Sequence, residues 1–267
     1  MPEAEPFYDH YAQREWERLE RHKTEFAVTL RAFQTHLPPP PARIIDIGGG
    51  PGRYAIALAQ LGYQVTLVDL SRKSLALAAE KAAEAQVDIE QLIRANALDL
   101  GMISTSTYQA AIIMGPLYHL LEHKERIQAI QEAIRVVEAG GIVGAAFITR
   151  FAPFRQAAVD EQEWLFDEHA YAMDLLESGI HTQTTMFANA YFIHPDDVLP
   201  LMESVGLQTI LLLGVEGIVA GHEEGVNALH GSAWEAWVEL NYQLGQDASL
   251  YGASDHLLYL GQKPTHL

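Results

Sequence analysis

The feature that most limits how this chain can fold is Ile45-Asp46-Ile47-Gly48-Gly49-Gly50-Pro51-Gly52, a glycine loop set between an apolar run and a helix-type pattern. Glycine adopts positive φ where a Cβ would clash and lets a ligand approach the backbone, and a following helix N-terminus favours negative groups. In that setting the loop reads as a ligand cradle rather than a bare turn. Asp69 closes the next apolar run, 17 positions beyond Gly52, where a carboxylate accepts hydrogen bonds from both hydroxyls of a ribose. The pair points to a nucleoside-containing ligand.

Around the loop the pattern alternates. Residues 43–48, 63–71, 89–96, 108–115 and 142–150 read as apolar, β-branched strands, and residues 54–62, 74–86 and 123–141 as helices between them. Five strands with intervening helices predict a parallel α/β sheet covered on both faces and joined by right-handed crossovers. Ahead of it, residues 7–36 carry Phe7, Tyr11, Trp16, Leu19, Phe26, Leu30 and Phe33 at spacings of amphipathic helix, stopped by Pro38, Pro39, Pro40 and Pro41. Beyond Arg150 the alternation lapses until a helix over 194–206, opened by Asp196 or Asp197, and a strand over 207–217; a last strand covers 256–263. One domain is expected: a helical segment over 1–41, a ligand-binding core over 42–150, and insertions at 151–190 and 218–252 that act as lids over the site.

Composition excludes more than it proposes. Seventeen Lys plus Arg against 35 Asp plus Glu give a formal charge of −18, which repels nucleic-acid phosphates and anionic lipid surfaces. The absence of cysteine rules out disulfides, thiolate metal ligands and a thiol nucleophile. The polar first residues and the lack of any apolar run near roughly 18 residues lead to the expectation of a cytoplasmic protein without membrane spans. His181, His194 and His222 show no short ligand spacing, so no metal is expected. Monomer and homodimer are equally compatible with the sequence.

With these motifs in hand, the chain resembles the class I S-adenosylmethionine-dependent methyltransferases. Asp46, Gly48, Gly50 and Gly52 match the family's first motif, and Asp69 its ribose-binding acid with Leu70 beside it. Residues 95–100, with Asn96 and Ala97, match the adenine-binding segment, and Met114, Gly115, Pro116, Leu117, Tyr118 and His119 the segment after the fourth strand. The resemblance implies a Rossmann-like, doubly wound seven-stranded sheet with a reversed last strand, S-adenosyl-L-methionine as cofactor, and methyl transfer to an N, O or C atom of a small-molecule acceptor. The family commonly has Asp where this chain has Asn96, whose carbonyl oxygen also accepts from the adenine amino group. Ala139 stands where the family often has proline before two glycines.

His119 is the candidate general base, at the carboxyl edge of the sheet and with a side chain that titrates near neutral pH; capping or packing against the next helix is its structural alternative. The resemblance further implies that Tyr11, with Tyr8 and Arg18 nearby, covers the cofactor near its methionine carboxylate. Tyr118, His181 and Tyr191 are candidate acceptor contacts, and Trp234, Trp237 and Tyr242 read as a buried helix face. Two competing readings are a nicotinamide-dependent oxidoreductase, against which Arg53 stands where that fingerprint needs Gly or Ala, and a non-catalytic module that binds S-adenosylmethionine.

Overall fold

The alternating pattern resolves, in a computed structural model that describes residues 12–18, 21–183 and 188–265, into a seven-stranded sheet between two helical layers. Residues 12–18 are helical. Helix α1 (Lys23–His36) ends where Leu37 turns extended at ψ 153°, just before the prolines, which cannot continue a helix. Strand β1 (Arg43–Ile47) then runs into the glycine loop and α2 (Arg53–Gln60), followed by β2 (Gln64–Asp69), α3 (Arg72–Glu84), β3 (Gln91–Arg94) and β4 (Tyr108–Ile113). Helix α3 starts at Ser71, whose hydroxyl accepts the Ser74 N–H at 3.1 Å.

Helix α4 (His123–Val136) passes directly into β5 (Val137–Ile148), so residues 137–141, expected to end the helix and turn, lie in the strand instead. Two consecutive β-branched residues, Val136 and Val137, favour extended backbone here. The break in register between Tyr108 and Ala110 on β4 absorbs the change. The first insertion folds into α5 (Ala152–Asp160), α6 (Trp164–Asp167), α7 (His169–Ser178) and a small hairpin of β6 (Ile180–His181) and β7 (Ala190–Tyr191). Helix α8 (Pro195–Ser204) follows; its cap is His194, whose Nδ1 accepts the Asp196 N–H at 3.3 Å, while Asp196 and Asp197 sit in the first turn. Strand β8 (Gln208–Gly214), helices α9 (Glu223–Asn227) and α10 (Gly231–Leu244), and strand β9 (His256–Gln262) complete the order.

The sheet runs β3-β2-β1-β4-β5-β9-β8, parallel except for β9, which pairs antiparallel with both β5 and β8. The reversed strand expected at the end of the chain is β9. Alternate strand residues feed two cores, one per face: Ile45, Ile47, Ala111, Ile113 and Phe147 against α4 and α8, and Ile44, Leu67, Ala110 and Ile112 against α1, α2 and α3. Helix α10 lies on α1, with Arg31 paired to Glu239 and its guanidinium 4.8 Å from the Tyr242 ring centre. Among the described residues no helix is long and apolar enough to cross a membrane.

Candidate active site

The carboxyl ends of β1 to β4 meet around a cleft whose empty space, open mouth included, is about 970 Å³. It lies where strand order reverses between β1 and β4, the place at which open α/β sheets leave a crevice. Gly48, at φ +68°, has its Cα against the ring of Pro116, so both its backbone angle and that packing exclude a side chain. Gly50, at φ +56°, differs: a Cβ there would meet no atom within 4 Å and would project into the open space of the cleft. The chain holds bare backbone against a space large enough for a ligand.

Asp69 is locked by two backbone donors, the Gly50 N–H to Oδ2 at 2.9 Å and the Ser71 N–H to Oδ1 at 2.8 Å. Ser71 caps α3, and Asp69 ties that cap to the glycine loop. A carboxylate offers about four acceptor sites, so ribose hydroxyls are compatible with both bonds. Asp46 is fully buried beneath Gly49, and burial together with Asp69 pushes its carboxyl up to about 7. Asn96 accepts the Leu98 N–H on Oδ1 at 3.0 Å, which leaves the second lone pair of that oxygen for another donor.

The structure brings Gly48, Gly50, Asp69, Leu70, Asn96, Ala97, Met114, Gly115, Tyr118 and His119 to the walls of this one cleft. Gly52 stands just behind it, at φ +82° as the N-cap of α2. Tyr11, and Tyr8 with it, fall outside the described residues. Arg18 and Glu15 do reach the cleft. Arg53, weighed from sequence as an obstacle to a dinucleotide, stacks over Trp16 at 4.5 Å and Phe26 at 5.4 Å, fastening the helical stretch 12–18 and α1 to the start of α2.

His119 is part-buried, and its Nδ1 lies 3.1 Å from the Asn189 carbonyl oxygen. A carbonyl only accepts, so Nδ1 carries the proton and Nε2 the lone pair of the neutral ring. Burial holds the imidazole below its ordinary pKa, partly offset by that hydrogen bond, which keeps it neutral at physiological pH. Tyr118, packed edge-on to His119 at 4.7 Å, touches the aromatic cluster of the first insertion, formed by Phe154, Trp164, Tyr171 and Phe192 with aliphatic neighbours. His181 belongs to the same insertion, bonded to the Tyr171 hydroxyl at 2.7 Å. Neither His181 nor Tyr191 lines the cofactor cleft; the Tyr191 ring lies 3.7 Å from the Arg126 guanidinium.

Reading the sequence missed a second cluster beside the cleft, of Arg18, Glu25, Glu216 and His256. Ligand-type atoms of Glu25, Glu216 and His256 lie within 4.8 Å of one another, but the guanidinium of Arg18 already spans both Glu25 oxygens. Among the described residues His181, His194 and His222 join no such group. Arg18 and Glu25 lie seven positions apart in the N-terminal helical segments, and no local spacing links them to Glu216 and His256, which strand pairing brings together.

Comparison with known proteins agrees with this geometry. The model of a family described as a methyltransferase domain matches residues 44–141. A Geobacillus sp. (strain WCH70) protein named as a methyltransferase is 36% identical over 101 residues, 38% of this chain and 40% of that protein. The ubiquinone biosynthesis O-methyltransferase of Xanthomonas axonopodis pv. citri is 26% identical over 182 residues, 68% of this chain and 69% of its own length. The match therefore spans two fifths of the first relative and about two thirds of the second. A crystal structure of an S-adenosylmethionine-dependent methyltransferase from Methanosarcina mazei superposes with a TM-score of 0.57 at 17% identity, over 87% of this chain and 97% of that one. Fold and cleft together resemble those of the class I S-adenosylmethionine-dependent methyltransferases. The cofactor for which the cleft is built is S-adenosyl-L-methionine, in keeping with the open backbone at Gly50 and the preset Asp69 carboxylate.

Proposed function

We propose that this chain transfers the methyl group of S-adenosylmethionine to a hydroxyl oxygen of a small-molecule acceptor. The observation that carries this reading is His119 on the cleft wall with its Nδ1 3.1 Å from the Asn189 carbonyl oxygen, an arrangement that makes Nε2 the basic nitrogen of the neutral ring. A neutral amine needs little help in losing its proton, whereas a hydroxyl needs a base, the role this reading gives to His119. The relatives named O-methyltransferases support the same choice, and a charge of −18 favours a small acceptor over nucleic acid.

When bound, the cofactor supplies an electrophilic methyl on a sulfonium. In this reading Asp69 accepts the ribose hydroxyls, Asn96 Oδ1 and Ala97 meet the adenine, and Gly48, Gly50, Met114 and Gly115 line the arm that carries the sulfur. Arg18 faces the amino-acid carboxylate. Asp46 stays beneath the loop and supports it. The first insertion, with Tyr118, His181 and Tyr191, closes over the acceptor and excludes water. With the cofactor bound, His119 Nε2 would take the proton that the acceptor hydroxyl gives up on methylation, leaving a methyl ether and S-adenosylhomocysteine.

The test is a panel of phenols and primary amines, incubated with cofactor and assayed for methylated product by mass spectrometry. A phenol or catechol is expected to be methylated, and His119→Asn to lower kcat by roughly 100- to 10,000-fold with S-adenosylhomocysteine affinity unchanged. Turnover restricted to amines, undiminished in His119→Asn, would remove the oxygen reading and leave methyl transfer to nitrogen.

A further inference from the structure

Below the cleft, charged side chains from the two ends of the fold form a chain of alternating sign. Arg18 grips Glu25 in a two-pronged pair, Nη1 to Oε2 at 2.6 Å and Nη2 to Oε1 at 3.1 Å, and its Nε reaches Glu15 at 2.9 Å. Glu25, 5% exposed on α1, lies 3.8 Å from Nδ1 of His256, the first residue of β9. The same nitrogen is 2.6 Å from Glu216 Oε1. Glu216 Oε2 in turn accepts the backbone N–H groups of Asp255 at 3.1 Å and His256 at 2.8 Å, and the Ser254 hydroxyl at 2.7 Å. Glu216 is thereby fixed to the backbone at the start of β9, and the order outward is Glu216, His256, Glu25, Arg18.

Burial opposes every one of these charges, yet the partners outweigh it. Glu25 and Glu216 hold His256 protonated up to about 9, His256 holds Glu216 down to about 2, and Arg18 with His256 holds Glu25 below its ordinary value. At neutral pH the four carry two positive and two negative charges. A neutral, satisfied cluster of this kind explains itself as a fastener, but its outer member does not. A guanidinium has five N–H groups; three are used, and two remain without a partner among the described residues, on a side chain that lines the cofactor cleft beside Tyr118.

We propose that Glu25, steadied by His256 and Glu216, is the positioning group that aims the Arg18 guanidinium at the amino-acid carboxylate of the cofactor, so that the start of β9 sets cofactor affinity. This rests on the reading of the cleft as the S-adenosylmethionine site with Arg18 at its carboxylate end. An arginine side chain has many rotamers, and holding one of them in advance removes an ordering cost that binding would otherwise bear. The pair with Glu25 fixes the plane of the guanidinium and leaves its outer edge for a second carboxylate.

The test uses two ligands that share the nucleoside and thioether and differ in the amino-acid arm: S-adenosylhomocysteine, which has the carboxylate, and 5′-methylthioadenosine, which lacks it. Both are titrated calorimetrically into the full chain and into Arg18→Met, Glu25→Gln and His256→Gln. Each substitution is expected to weaken S-adenosylhomocysteine about tenfold, a single charge-assisted contact, and to leave 5′-methylthioadenosine unchanged. Arg18→Met combined with His256→Gln is expected to bind no more weakly than Arg18→Met alone, since both act through one group. Equal loss of both ligands would reduce the cluster to a fold fastener and overturn the proposal. Weakening by Arg18→Met with none from Glu25→Gln or His256→Gln would overturn the relay and leave the Arg18 contact standing. No effect of Arg18→Met would remove that contact and the proposal with it, and failure of the unchanged chain to bind either nucleoside would remove the cofactor reading itself. Should His256→Gln not fold, Glu25→Gln carries the same comparison.

Discussion

Two corners of this molecule bind or hold charge, and they are built in opposite ways. At the glycine loop, Gly48, Gly50 and Asp69 come from one βαβ unit, and the working groups are largely backbone, positioned by residues at most 21 apart in the chain. At the ion cluster, Arg18, Glu25, Glu216 and His256 come from the two ends of the fold, and the working groups are side chains placed by the pairing of β9 with β5 and β8. The first corner depends on local conformation, the second on completed topology. Damage to the first is therefore expected to appear mainly in binding of the whole nucleoside, and damage to the second mainly in stability, with a smaller loss confined to the cofactor's amino-acid arm.

The largest expected effect tests the second half of that contrast. Glu216→Ala leaves a buried imidazolium with Glu25 alone at 3.8 Å, and removing one member of a buried pair costs about 3–5 kcal/mol. Urea unfolding followed by circular dichroism measures it, and a loss below about 1 kcal/mol would break the comparison, since such losses are ordinary for surface sites. Next, Asp69→Ala removes the acceptor of two backbone N–H groups and of the ribose. It is expected to weaken S-adenosylhomocysteine by roughly 100-fold, about 3 kcal/mol, with much less change in the urea midpoint than Glu216→Ala produces. The reverse ranking would mean that the loop, not the cluster, holds the fold.

The smallest effect is in pH. His256 is raised from 6.5 to about 9 in the folded chain, so its contribution is whole below pH 6.5 and drains away as pH rises from there through 9. Glu216 is lowered from 4.5 to about 2, so its contribution is whole above pH 4.5 and is lost as pH falls through 2. The melting temperature of the unchanged chain is expected to decline along the alkaline limb, and that decline to flatten in Glu216→Gln. An identical alkaline limb in both proteins would assign it elsewhere.

This contrast also explains what could be read from the residues alone. The meeting of the loop, Asp69, Asn96 and His119 around one cleft was legible because strand-loop-helix periodicity puts each beyond the end of a strand, where this topology leaves its crevice. Residues 137–141 misled because glycines after a helix suggest a turn, whereas β-branched Val136 and Val137 carried the chain straight into β5. The cap of α8 was assigned to Asp196 or Asp197 because acids usually fill that role, and His194 supplies the acceptor instead. Arg18 was legible only as a basic group near the cofactor. Glu25 and His256 were not legible at all: each stands in an unremarkable local pattern, and their meeting with Glu216 depends on β9 lying between β5 and β8.

That placement of β9 bears on how the protein comes into being. Strand β9 is the last strand of the sheet to leave the ribosome, yet it occupies an interior slot, with β8 outside it. While residues 256–262 are still in the exit tunnel, β5 presents an unpaired edge, β8 has no strand to pair with, and the anchor for Glu25 is missing. A nascent chain can thus assemble its glycine loop early but cannot finish the sheet until that strand arrives, which leaves a window of exposed edges for chaperones to cover.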